Sequence, residues 1–254
     1  MAVVASGSTS YGRIADCYER VRGGDTRAEE LAEGLRPWIP DGLVCDVGTG
    51  TGVVTGRLRR PGVELVGCDI SPEMIAKAAQ RFPGRVNVGD ATRLPIRNDI
   101  LDAVIYVWVL HHVAHLAGTL AEARRVLRPN GGVISVSGIS LPANDDMGPI
   151  FERLNDQLRP DRVAQSSAVA TAGCEVGLVI VHEGVVRTTA TTSPNALADS
   201  IAQRLFAPLW DLPKGVWDGI VEPVIAELRS LPEPGTPRHR AFDHPLVVLA
   251  NPGG

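Results

Sequence analysis

An aspartate followed by three alternating glycines, Asp46-Val47-Gly48-Thr49-Gly50-Thr51-Gly52, closes an apolar run that begins at Leu43. Such a run reads as a buried strand. The glycines after it call for a sharp turn, in which the backbone takes positive φ or lies against a ligand with no Cβ between them. Residues 53–60 leave room for one short helix before Pro61-Gly62 stops it. The glycines thus sit between a strand end and a helix N-terminus, where open α/β sheets bind ligands.

The spacing narrows the ligand. The dinucleotide pattern G-x-G-x-x-G fails in both registers, because Val53 and Thr55 stand where its last glycine belongs. No G-K-S or G-K-T phosphate loop is present either. Asp46 precedes the first glycine by two residues, where a carboxylate repels a pyrophosphate and suits a ligand with a positive group. A tight connection without a ligand is the competing explanation of the glycines alone, and acids further along the chain weigh against it.

Residues 63–68 predict a short strand ending at Asp69, which follows Gly50 by 19 residues, the spacing at which an acid closing the second strand reaches a ribose. Ser71, Pro72 and Glu73 read as N-cap, first helical residue and dipole-favoured acid of a helix, with Met74, Ile75, Ala78 and Ala79 as its buried face. Residues 85–88 form a third strand that runs into Gly89-Asp90-Ala91. Strand ends in this sheet type share one edge, so Asp46, Asp69 and Asp90 are expected to converge there. Residues 101–110 predict a fourth strand buried on both faces, followed by His111, His112 and His115. An amphipathic helix over 116–127, a turn at 128–132 and a fifth strand at 133–136 complete this half.

Composition excludes several classes of function. The 254 residues are 44% hydrophobic with a net charge of −4, which argues against a nucleic-acid partner, since phosphate binding needs a dense basic face. No apolar run approaches the ~18 residues of a membrane span and no charged leader opens the sequence, so the expectation is a cytoplasmic protein without a membrane partner. Cys17, Cys45, Cys68 and Cys174 lack C-x-x-C spacing and are expected as small buried hydrophobes. No His/Cys/acid pattern suggests a metal.

The segments D-V-G-T-G-T-G, C-D-I-S-P-E-M, G-D-A-T-R-L-P-I, L-D-A-V-I-Y-V-W-V-L-H-H-V and R-R-V-L-R-P-N-G-G, in this order, resemble the motifs of class I S-adenosylmethionine-dependent methyltransferases. The small-molecule branch is the most similar, and the resemblance covers residues 11–140. It implies an α/β, Rossmann-like, doubly wound sheet of seven strands, mostly parallel with an antiparallel last strand, carrying a helical cap insertion. It implies S-adenosyl-L-methionine as cofactor, with Asp46 and the backbone at Gly48 and Gly50 on its methionine end, Asp69 on both ribose hydroxyls, and Asp90 with Ala91 on the adenine. Tyr11, Thr49, Ile70, Val107 and His112 complete the expected contacts. His111 and His112 are the candidate catalytic groups, as a base or as an orienting group for the acceptor; shaping of the pocket is the alternative for both.

The remaining segments divide accordingly. Residues 1–40, with a helix placing Tyr11 and Tyr18 on one face and a second helix at 25–35, form an N-terminal lid. Residues 41–190 and 239–254 form the core, and 191–238 the cap, with Trp210 and Trp217, where substrate selection is placed. His182, His239 and His244 show no partner pattern and are taken as structural. The expected activity is methyl transfer by in-line displacement to a small acceptor of the secondary-metabolite kind. The alternatives are a cofactor-binding protein whose pocket serves another purpose, and a nucleic-acid or protein methyltransferase.

Overall fold

The computed structural model describes residues 24–138, 145–159 and 162–253, the side chains of 162–167 excepted. Tyr11, Tyr18, Cys17 and the helix expected over 11–21 lie outside these residues. Seven strands form one sheet: β1 (Gly42–Val47), β2 (Val63–Asp69), β3 (Val86–Val88), β4 (Leu101–Val107), β5 (Leu127–Val136), β6 (Val179–Thr192) and β7 (Arg238–Ala250). Their order is β3-β2-β1-β4-β5-β7-β6, with β1 to β5 parallel and β7 antiparallel to both of its neighbours. This is the expected doubly wound sheet with its reversed last strand. The order turns back between β1 and β4, which opens a crevice at the carboxyl ends of those strands.

The central strands are apolar throughout because both faces are covered. On one face Cys45, Val104 and Tyr106 pack with α3 (Leu116–Val126) and α5 (Arg162–Glu175), and on the other Val44, Ala103 and Ile105 pack with α1 (Gly24–Leu35) and Phe82, just past the end of α2 (Pro72–Arg81). α2 starts as its sequence demands: the Ser71 hydroxyl accepts the Met74 N–H at 3.3 Å, and Pro72 occupies the first turn.

Two strand boundaries differ from expectation. β4 stops at Val107, three residues early, because Trp108 adopts φ +60°, a left-handed conformation that breaks the pleat. β5 begins at Leu127, so the Arg128–Gly132 stretch is a register shift within the β4–β5 pairing and not a turn ahead of the strand. Cys45 and Cys68 are buried as expected, whereas Cys174 is exposed.

A third cluster of buried residues stands apart from the sheet. Leu197, Ala198 and Ile201 of α6 (Pro194–Ala202), Val221, and Val224 and Leu228 of α7 (Glu222–Ser230) pack with Ile150 and Leu154 of α4 (Gly148–Leu158) and with Met147, its N-cap. The helical cap therefore draws on a helix that follows β5 as well as on the insertion before β7. Asp145 with Arg240, and Asp146 with Arg238, join it to β7 by ion pairs.

Candidate functional site

β1 delivers the chain into the glycine turn, where Gly48, Gly50 and Gly52 all have positive φ, of +75°, +56° and +75°. Gly48 needs its missing side chain as well as its backbone freedom, since a Cβ there would lie 2.3 Å from Val109 Cγ2. The turn is held from β2: the N–H groups of Gly48 and Thr49 donate to the Cys68 carbonyl at 2.7 and 3.0 Å. The short 3₁₀ segment Thr55–Leu58 follows, and its Arg57 pairs with Asp25 and Glu29 of α1. The first helix is thereby fastened over the turn.

Next to the turn is a cleft of about 340 Å³ at the carboxyl ends of β1, β2 and β4. Of the residues expected to hold a cofactor, Gly48, Gly50, Asp69, Ile70, Asp90, Ala91, Val107 and His112 all line it. Asp69 is fixed by two backbone donors, Gly50 N–H on Oδ2 at 2.9 Å and Ser71 N–H on Oδ1 at 2.8 Å. Burial pushes its pKa up, and those hydrogen bonds oppose the rise. Each oxygen keeps a further lone pair for a hydroxyl donor. Asp90 Oδ1 accepts the N–H and the hydroxyl of Thr92, both at 2.8 Å, which holds its pKa down. No lysine or arginine is among the described residues lining the cleft.

Asp46 lies deeper than Asp69 and Asp90. Only 3% exposed, it borders a separate cavity of about 40 Å³ together with Gly48, Thr49, Val107, Trp108, Ala28 and Leu31. The Thr55 hydroxyl donates to its Oδ2 and stands 3.0 Å from the Thr49 hydroxyl, while Oδ1 is buried without a hydrogen-bond partner among the described residues. Burial is the main reason its pKa rises from 3.8 to about 6, and the nearby Asp69 adds to the rise. A buried carboxylate with an idle oxygen is a costly group in isolation and a ready partner for a cation. The three acids thus gather around one glycine turn, two on the cleft and one in the cavity beside it.

The histidine pair divides. His112 lines the cleft, whereas His111 borders a small cavity behind it with Ser135, Ser137 and Pro245. Their rings pack at 3.9 Å between centroids, and a Cβ at Gly138 would come within 2.3 Å of His111 Cε1. The His111 carbonyl accepts from Arg159 at 3.0 Å, beyond the end of α4.

Trp108 is the site residue that pattern reading missed. It lines both the cleft and the Asp46 cavity, and its backbone is held in the left-handed region while its N–H donates to Val136 at 2.9 Å. The Arg27 guanidinium lies over its ring at 4.6 Å and contacts His244 Nε2 at 3.0 Å. Arginine only donates, so Nε2 accepts, and the Nδ1–H of a neutral His244 donates to the Ser137 carbonyl at 3.1 Å. His244 is fully buried, held between Arg27 and the Ser137 carbonyl. An aromatic residue at the end of an apolar strand carries no sequence mark of its bent backbone, which hid Trp108.

Known proteins resemble part of this chain in sequence and all of it in fold. Residues 45–135 match the methyltransferase domain family. The demethylmenaquinone methyltransferase of Mycolicibacterium paratuberculosis is 36% identical over 127 residues, 50% of this chain and 54% of that protein. That of Mycobacterium bovis is 41% identical over 105 residues, 41% of this chain and 44% of that protein. The chain therefore spans about half the length of the curated relatives it matches. Among solved structures, the cyclase SpnF superposes with a TM-score of 0.62 at 17% identity, over 100% of both chains. A Haemonchus contortus phosphoethanolamine-type N-methyltransferase, solved with S-adenosylhomocysteine, superposes with a TM-score of 0.54 at 16% identity, over 95% of this chain and 57% of that one. These structures share the fold with this chain, and its residues 45–135 match a methyltransferase domain.

Proposed function

We propose that this protein transfers the methyl group of S-adenosylmethionine to a small-molecule acceptor. The observation that carries the proposal is the set of carboxylate acceptors around the glycine turn: Asp69, fixed by two backbone N–H groups, and Asp90 on the cleft, and Asp46, with a buried oxygen unpartnered among the described residues, in the cavity beside it. Acids with no basic partner among the described lining residues suit a ligand bearing an ammonium, a sulfonium and a ribose, and do not suit a pyrophosphate. Asp69 would accept the ribose hydroxyls, Asp90 and Ala91 would meet the adenine, and Asp46 with the Gly48–Gly50 backbone would face the methionine end.

When bound, the sulfonium supplies a methyl already activated for in-line displacement. The protein's task is then to exclude water and align the acceptor, which proximity and orientation can largely accomplish. Trp108, Val109 and Val113 give the cleft its apolar wall. His112 stands on that wall as the group to orient the acceptor or to take a proton from a hydroxyl acceptor. The acceptor class is small-molecule because the relatives named above act, by name, on demethylmenaquinone, and because the net charge of −4 leaves no excess of basic groups for nucleic acid. Incubation with S-adenosylmethionine and a panel of quinols, phenols and amines tests this. A mass gain of one methylene in one acceptor is expected; cofactor binding with no gain in any acceptor would favour a pocket turned to another use.

A further inference from the structure

We propose that two copies of this chain associate through β6, paired as antiparallel strands about a two-fold axis at Val185. β6 ends the sheet, and among the described residues no strand continues the ladder beyond it. Long edge strands are commonly blunted by proline or lysine, because an open row of N–H and C=O groups templates further pairing. The fourteen residues Val179–Thr192 contain neither. Val179, Ile180, Val181 and Val185 on this strand are instead about half exposed.

The backbone direction follows from Thr189, whose N–H donates to Glu30 Oε2 at 2.6 Å and so points away from β7. Alternate residues of a strand share that direction, so Glu183, Val185 and Arg187 also turn their N–H and C=O groups outward. In a pair centred on Val185, that residue meets its own copy and Glu183 meets the partner's Arg187, twice by symmetry. Glu183 is exposed, and no ion pair engages it among the described residues. Arg187 uses Nε and Nη2 on Asp243, at 2.7 and 2.8 Å, which leaves Nη1 for a second carboxylate.

The sequence of the strand is therefore complementary to itself in charge, which singles out a second copy as the occupant. Register is selected as well. Moving the axis one residue toward Arg187 would set Glu183 against Thr189, whose outward N–H Glu30 already occupies, and moving it the other way would set Glu183 against Val185. Glu30 also caps the ladder, confining it to the stretch around Val185.

Light scattering of the full chain across a concentration series tests the inference, the expected mass being twice 27.0 kDa. Glu183→Arg should weaken association by about tenfold or more, by placing like charges opposite each other on both sides of the axis, and Glu183→Arg with Arg187→Glu should restore it. Val185→Cys should form a cross-linked dimer on oxidation, since facing Cα atoms in such a pair lie about 5.5 Å apart. The unsubstituted chain, with its own exposed Cys174, is the control. A monomer at every concentration, or a dimer that ignores Glu183→Arg and that Val185→Cys fails to lock, would overturn the proposal.

Discussion

Asp46 carries an electrostatic cost that a cationic ligand would relieve. A folded-state pKa of about 6 against the usual 3.8 corresponds to on the order of 3 kcal/mol disfavouring the ionised folded state. The folded pKa is the higher one, so the folded chain holds its proton longer and loses stability as pH rises from about 4 to 6. Asp46→Asn should therefore stabilise the ligand-free protein by up to about 3 kcal/mol at pH 7–8 and by little near pH 4, read as the difference in melting temperature across pH. The same substitution should weaken S-adenosylmethionine binding and remove a rise in affinity as pH passes through about 6. A variant no more stable than the parent at pH 8 would contradict this assignment. The histidines separate by position: His112→Ala should raise KM for the acceptor with most of kcat retained, as lost orientation implies. His111→Ala, behind the wall, should lower the melting temperature and leave acceptor KM nearly unchanged. A loss of 10²- to 10⁴-fold in kcat for His112→Ala, steepest in pH below about 7, would instead make His112 the general base.

At the level of elements, the sequence was most explicit where chemistry and geometry coincide. Ser71-Pro72-Glu73 named the start of α2 because cap, proline and acid each satisfy a local demand of a helix N-terminus, and the glycine turn announced itself because three alternating glycines mark positive φ values that side-chain-bearing residues adopt only at a cost. The end of β4 was hidden because Trp108 is held in the left-handed region by its surroundings, a tertiary override of a local preference for strand. The cap was only half visible: α4 reads as an ordinary amphipathic helix, and nothing local says that Ile150 and Leu154 share a separate core with Leu197 and Leu228. Next to Leu209 of that core, the Trp210 indole donates to the Arg204 carbonyl at 2.9 Å, is 9% exposed, and is absent from the described cleft lining. Trp210→Ala should accordingly cost about 3 kcal/mol and lower the melting temperature with S-adenosylmethionine affinity preserved. A shift in the relative kcat/KM of competing acceptors at unchanged stability would return Trp210 to substrate selection.

The whole molecule places one site where its topology turns back. Winding outward from β1 through β2 to β3, then from β4 the other way, leaves the carboxyl ends of adjacent strands free to present Asp69, Asp90 and the glycine turn to one cleft. That convergence could be read from sequence because strand order and strand ends follow from the βα pattern, whereas the depth of Asp46 and the parting of His111 from His112 depend on packing that no spacing records. Calorimetric titration of S-adenosylmethionine into the parent and into Asp69→Ala tests the central claim most directly. Charge-assisted hydrogen bonds to two ribose hydroxyls contribute about 1.5–3 kcal/mol each, so the variant should bind at least tenfold more weakly. Equal affinity in the two proteins, or binding of NAD in place of S-adenosylmethionine, would contradict it.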